Sequence, residues 1–377
     1  MSKTKRALAL GVAMLGSGIA HGQSSVTVYG VIDQYLNYMH SSSGATIRSL
    51  EDGALTRSRF GVRGQEDLGD GYIAKFNLEG GFSTDTGTTA DAGRFWDRQA
   101  WVGIATPGGE FRAGRQNSPI FVGGKYVDYT YRDLGSIVNN FGAPARFDND
   151  ISYLSPRLAG FQLDFHVALP ETPQGNRPLI IQTALDYQIR DSHLGYMGLR
   201  ARPPANAAID KDVIYDQVYG MWNYGKGNVY LTFVRTNNNT SSGGLNNAGS
   251  VLSNVGGTSG GAGSFNTGTN TDLNNFYNIS QISADYQVMP QLRVGALWGK
   301  IQDKSGRDRG ASGGSVGAYY DLSKRTTLLA LVETMRNDAN GGFRHGGSAA
   351  LKTNFTNPVD VNGQTINGIQ FGIVHRF

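Results

Sequence analysis

The sequence predicts an all-β chain, a transmembrane antiparallel β-barrel of sixteen strands whose long third loop folds into the pore. Three observations carry that prediction. No apolar run reaches the ~18 residues of a membrane-spanning helix. Alternating segments of about ten residues, the length that crosses a bilayer as a tilted strand, recur along the chain. The breaks between them are alternately short and long, the asymmetry of an outer-membrane barrel.

The chain has 377 residues, 53 of them Gly and none Cys, and 39% are hydrophobic. Such a composition fits either a soluble all-β chain or a barrel whose apolar residues are hidden by alternation. Met1 to Arg6 carries Lys3, Lys5 and Arg6, Ala7 to Gly16 is apolar, and Ala20-His-Gly22 offers small residues for cleavage. Residues 1–22 read as a secretory signal peptide, leaving 23–377 as the barrel. Its removal takes three of the 34 basic residues and leaves 31 against 30 acidic ones. A near-neutral chain gives no support to a nucleic-acid partner.

The strands follow in order. The first is 26–36 and the second 56–65, then 71–83, 94–106, 109–116, 147–155, 159–169, 180–190, 193–202, 212–224, 228–237, 274–288, 291–302, 311–321, 325–336 and 366–377. Short breaks such as Glu66–Asp70, Pro107–Gly109 and Arg190–Ser192 are built from the residues of tight turns. Long breaks fall at 38–55, 84–93, 117–146, 170–179, 203–211, 238–273, 303–310 and 337–365. The Asn/Gly/Ser/Thr-rich stretch 238–273 cannot bury a core and reads as a flexible external loop. The stretch 117–146 is too long for an idle connection, so it reads as a constriction inside the barrel. Gln370–Phe377 alternates and ends on an aromatic; it resembles the C-terminal signal read by the outer-membrane assembly machinery, with Phe377 as its key residue.

Parity assigns the faces. An arginine in lipid at mid-depth costs ~2–4 kcal/mol, so register follows the arginines. With Phe60 and Val62 in lipid, Arg57, Arg59, Arg63 and Gln65 face the lumen. Trp101 is expected in lipid with Arg98 inward. Phe147, Ile151 and Tyr153 are expected outside, leaving Arg146, Asp148 and Asp150 inside. Asp128 and Asp133 are the only carboxylates between Gln116 and Arg146, so elimination makes them the acidic side of the constriction. Tyr72, Trp96, Trp222 and Trp298 fall near strand ends, as interfacial girdle residues do.

Val28-Tyr-Gly-Val-Ile-Asp33, Ser58-Arg-Phe-Gly-Val-Arg-Gly64 with Glu66-Asp-Leu-Gly69, Arg98-Gln-Ala-Trp-Val-Gly103, Ala113-Gly-Arg-Gln116 and Ile373-Val-His-Arg-Phe377 together resemble the general trimeric porins of Gram-negative bacteria. That resemblance implies a homotrimer in the outer membrane, among its lipid and lipopolysaccharide, passing small hydrophilic solutes and ions. It also implies a ladder of wall arginines, here Arg59, Arg98 and Arg146 with Arg63 beside them, and an inward third loop. Their excess over Asp128 and Asp133 predicts a mild anion preference. Asp85, in the second long loop, is expected to meet a basic group across the trimer contact, with Arg115 as the candidate.

Rival chemistries lack support in the residues. Ser152, Asp164 and His166 share one face, but residues two apart on a strand stand side by side rather than orienting one another. The histidines have no metal-ligand spacing, and the Gly-rich pieces lack the Lys-Ser/Thr of a phosphate loop. The expectation is a channel without cofactor, metal or catalytic set. The alternatives are a substrate-specific channel or a barrel lipase or protease.

Overall fold

The structure is a computed structural model describing residues 24–141, 145–169, 180–201, 212–237, 276–348, 353 and 355–377. The expected leader, 1–22, and the expected external loop, 238–273, lie outside the described residues.

Seventeen strand segments make one closed antiparallel sheet. They are β1 (Ser25–Ser41), β2 (Thr46–Asp52), β3 (Arg59–Gly69), β4 (Tyr72–Gly81), β5 (Gln99–Thr106), β6 (Gly109–Asn117), β7 (Arg146–Leu154), β8 (Phe161–Ala168), β9 (Ile180–Ile189), β10 (Ser192–Ala201), β11 (Val213–Asn223), β12 (Asn228–Thr236), β13 (Tyr277–Met289), β14 (Leu292–Asp303), β15 (Ala311–Asp321), β16 (Thr326–Asn337) and β17 (Thr365–Arg376). Both β2 and β3 pair with β1, the former along Gln34–His40 and the latter along Ser25–Val31. They are two halves of one stave, so the barrel has sixteen, as the alternation predicts. The expected loop at 38–55 is mostly strand: β1 runs on to Ser41, turns through Ser42–Ala45, and β2 pairs straight back.

The seam joins β1 to β17, from Val31 opposite Arg376 to Ser41 opposite Ile366. Backbone bonds of 3.0 Å in both directions link Gly30 and Phe377. The Phe377 ring lies where a Cβ on Gly30 would stand, so a larger residue here must push that ring aside. His375, on the outward face, contacts the Thr326 hydroxyl at 2.9 Å. With no edge left open, every strand can sit in hydrocarbon.

Outward residues are apolar and exposed, among them Val102, Ile151, Leu231, Trp298, Val316 and Val332. Tyr72 and Trp222 are exposed as girdle positions should be. Luminal residues are buried because two loops fill much of the interior. The third loop contains two short helices, α1 (Pro119–Val122) and α2 (Ile137–Phe141), and is closed at its base by Ser118 N–H bonding Ala145 O at 2.9 Å. Ser118 also caps α1, its Oγ accepting from Phe121 N–H at 3.0 Å.

Small luminal residues on β14 and β15 seat this loop. Side chains on Gly295 or Gly317 would meet the Tyr129 ring, and one on Gly299 would meet Ile137. Around that seat the wall supplies bonds: Ser283 Oγ accepts from Tyr129 N–H at 3.0 Å, Ser315 Oγ contacts the Tyr129 hydroxyl at 2.9 Å, and Gln281 Oε1 accepts from Ile137 N–H at 2.9 Å. Residues 341–348 of the last loop also fold inward. Asn139 donates to Gly346 O at 2.9 Å, and Ser348 N–H reaches Gly53 O at 2.7 Å. His345 is buried against Glu333 at 3.0 Å. Burial alone would lower the imidazole, but the Glu333 carboxylate holds it above its ordinary value.

Candidate functional site: a cluster of arginines at the constriction

Three irregularities in the wall from β2 to β7 aim arginines at one place. The first is the gap between β2 and β3. The Asp33 carboxylate accepts the N–H groups of Ala54, Leu55 and Thr56 at 3.0, 2.7 and 2.8 Å, pinning the chain where it leaves the sheet. Thr56 then accepts from Arg59 Nη1 at 2.7 Å, and Arg57 Nη2 donates to Ala90 O at 3.3 Å. Ala54 O receives Leu134 N–H of the third loop at 3.0 Å, so this gap also braces the constriction.

The second is a bulge at the start of β5. Gln99 is the register partner of Glu79, yet Arg98 N–H also donates to Glu79 O at 3.1 Å. Two residues oppose one, which turns both side chains toward the same face. Arg98 therefore points inward as expected, but the parity beyond it is the reverse of the expectation. Trp101 faces the lumen, where Arg112 lies 4.4 Å over its ring, and Val102 and Ile104 face lipid.

The third is a bulge in β7. Pairing shifts between Gly114 and Gln116, and Asn149 adopts φ 52°. Asn tolerates that left-handed conformation better than most residues. The extra residue flips the strand's end: Phe147, expected in lipid, is fully buried inside. Asp148, expected inside, instead pairs with Arg115 at 2.5 Å and Arg94 at 2.7 Å. Arg146 keeps its place, with its guanidinium 4.5 Å from the centre of the Phe121 ring. Ile151 is outward and Asp150 inward, as parity predicted.

Around this point the acid is Glu79, which the sequence reading did not single out. It receives Arg98 Nε at 2.7 Å, lies 3.2 Å from Arg59 Nε, and accepts the Tyr29 hydroxyl at 2.9 Å. Its signal was present: Lys75, Asn77 and Glu79 alternate with Ala74, Phe76 and Leu78, which marks it as luminal. Arg57, Arg59, Arg98 and Arg146 all act electrostatically on one another or on Glu79. Nε of Arg57 and both Nε and Nη2 of Arg146 are buried without a hydrogen-bond partner in the described residues. Arg63 stands apart from this group, exposed and 5.2 Å over the Tyr29 ring, four residues beyond Arg59 toward the turn end of β3.

The two loop acids divide. Asp128 is fully buried and accepts from Thr130 N–H, Arg132 N–H, Ser136 Oγ and Gln281 Nε2 at 2.6–3.1 Å, so it holds the loop's own shape rather than facing water. Asp133 is only partly buried and lies within electrostatic reach of Arg59. Burial pushes its carboxyl well above the ordinary value, Asp33 and Asp128 add to that, and Arg59 opposes it. Arg132 is buried, its Nη1 donating to Ile120 O at 2.6 Å.

The serine, histidine and aspartate on β7 and β8 make no nucleophilic set. His166 is held between Asp150 at 2.6 Å and Asp164 at 3.0 Å, while Ser152 donates to Gln116 at 3.0 Å. No group of three or more metal-ligating side chains occurs among the described residues.

A family model described as Gram-negative porin matches residues 7–340. The chain belongs to the Gram-negative porin family. An outer membrane porin protein of Bordetella pertussis is 29% identical to this porin, across 90% of this chain and 95% of the relative. In structure, an anion-selective porin from Comamonas acidovorans superposes with a TM-score of 0.69 at 21% identity, covering 94% of this chain and all of that one. The trimer form of an outer membrane protein of Vibrio cholerae gives 0.60 at 15% identity, covering 94% and 99%. The protein is thus an outer-membrane porin, a diffusion channel in the outer membrane of a Gram-negative cell.

Proposed function

We propose that this porin is a passive, water-filled route for small hydrophilic solutes and ions with a mild preference for anions, and that it performs no catalysis. One observation carries the preference: the three guanidiniums of Arg59, Arg98 and Arg146 gather around the carboxylate of Glu79. Such an excess biases which ion enters a narrow section. Reversal potentials across a planar bilayer under a salt gradient test this reading. A shift toward the anion potential is expected, and a clear cation preference overturns it.

The working unit is a homotrimer, placed by the assembly machinery into outer-membrane lipid and lipopolysaccharide. Arg115 and Asp85 serve its contact. Arg115 brings with it the cluster of Asp148 and Arg94 near the second long loop. The trimer form of the Vibrio cholerae relative supports this arrangement.

A further inference from the structure

One residue of the third loop breaks with its neighbours. Tyr129 and Thr130 before it and Arg132 after it are buried, whereas Tyr131 is 48% exposed inside the barrel. The backbone is turned to allow this. Tyr131 adopts φ 60° and Arg132 φ 64°, two successive residues in the left-handed region that side chains of this size rarely enter. The loop holds them there: Asp128 Oδ1 accepts from both Thr130 N–H and Arg132 N–H, and Thr130 Oγ1 accepts from Asp133 N–H at 3.1 Å. Strain kept in place by its surroundings concentrates where a side chain meets a ligand.

The exposed ring is backed by a cation. The Arg293 guanidinium lies 4.9 Å over the Tyr131 ring and 4.4 Å over the buried Tyr319 ring. It donates to Tyr129 O at 2.7 Å and stands 3.3 Å from Asp285, so it is a fixed backing rather than a free charge. A ring engaged by one cation is a weaker host for a second, because its negative face is already used. Its open side suits another ring in offset or edge-on contact.

Depth in the lumen follows from β14. Ile137 sits against Gly299, Tyr129 against Gly295, and Tyr131 against Arg293, the second residue from the turn end of that strand. Tyr131 is therefore on the turn side of the constriction. With β2 and β3 counted as one stave, β6 is the fifth and β14 the thirteenth of sixteen, so the two stand diametrically opposite. Arg112, the fourth residue of β6, lies toward the same turn end, and it shares Glu110 with Lys75 of β4. Two cations to one carboxylate leave positive charge on that wall. A solute past the constriction thus meets an aromatic face on one side and a cationic wall on the other.

We propose that Tyr131 is a stacking shelf by which this porin favours aromatic carboxylates over aliphatic ones of equal charge and size. The solute ring meets the Tyr131 ring, and its carboxylate turns toward Arg112 and Lys75. The proposal rests on the anion-passing reading above and adds to it a class of solute.

The experiment records chloride current through the purified full-length protein in a planar bilayer while benzoate or cyclohexanecarboxylate is added to both sides. The two acids match in charge and size, and only benzoate is planar and aromatic. Benzoate is expected to halve the current at a concentration about three- to tenfold below that of cyclohexanecarboxylate, the range one aromatic pair supplies. Tyr131→Phe should keep this difference. Tyr131→Asn should lose it, with a urea midpoint no lower than that of the unmodified protein, because Asn accepts positive φ. Equal block by the two acids, no block by either, discrimination retained in Tyr131→Asn, or discrimination lost in Tyr131→Phe overturns the proposal. Both acids are anions, so the comparison is separate from the chloride-over-cation preference, which holds or fails on its own reversal potentials.

Discussion

From β11 round to β17 the inward and outward residues alternate without a break through the body of each strand; the single register shift, between Gln287 and Met289, falls at a turn. From β2 to β7 there is likewise one shift at a turn, between Asp67 and Gly69, but the alternation also breaks three times away from the turns, at 53–58, at Arg98–Gln99 and at Asp148–Asn149, and each of these three lies beside the arginine cluster. The regular side is a seat: its luminal glycines and hydroxyls receive the third loop. The irregular side is the working wall. A strict pleat spaces side chains two residues apart on one face, which disperses charge. Bulges add a residue to one strand only, and that allows several guanidiniums to converge on Glu79.

Removing the carboxylate that holds this wall together should have the largest effect. Glu79→Gln leaves Arg59 and Arg98 facing each other without compensation, a loss of about 3–5 kcal/mol for a broken buried pair. Urea unfolding in lipid vesicles should show it, with a rise in anion preference in whatever fraction assembles. On the regular side, Gly295→Leu drives a side chain into Tyr129 and should cost about 1–3 kcal/mol by overpacking. Its readout is different: the third loop is displaced, so single-channel conductance rises while selectivity weakens. If Gly295→Leu left conductance unchanged, the seat would not be what holds the constriction.

Arg98→Gln removes one guanidinium without touching the seat, and should lower the anion preference with conductance nearly constant. The pH dependence follows from Asp133, whose carboxyl is held above its usual value. Protonated, it carries no charge; as pH rises through its elevated pKa, a negative charge appears within reach of Arg59. Anion preference should therefore fall as pH rises through that elevated pKa, and Asp133→Asn should flatten that fall. Stability takes the same sign, present at low pH and declining as the group ionises. The smallest effect belongs to Arg115→Ala, which removes one arm of a partly exposed ion pair, worth about 1 kcal/mol or less. Trimer heat resistance on unboiled gels should drop slightly, and no change would remove Arg115 from the subunit contact.

The same contrast explains what could be read from the residues. Strand number, order and most boundaries were legible, because lipid imposes apolar residues at every second position. Arg59, Arg98 and Arg146 were placed correctly on the lumen side. Trp101, Phe147 and Asp148 were not, because parity counts residues and a bulge adds one without a distinctive composition. Around Arg98 both faces of the strand carry apolar side chains, so neither register looked wrong. Asn149 is the one local hint, being a residue that accepts positive φ. Asp128 was misassigned for another reason: a carboxylate in a loop can face water or cap its own backbone, and its neighbours Thr130 and Ser136 suit the second. The gap at 53–58 was hidden by the same residues that fill it, since Gly53 to Thr56 resemble an ordinary loop.

The bond between Gly30 and Phe377 has a consequence in time. It joins residues at nearly the greatest separation the barrel contains, and loop closure over such a distance is slow. Until it forms, β1 and β17 are two bare edges able to pair with any other strand, including those of a second copy. The sheet has no smaller closed version to rest in. Closure of this one seam therefore competes with mispairing, and a bulkier residue at Gly30 would act at that step.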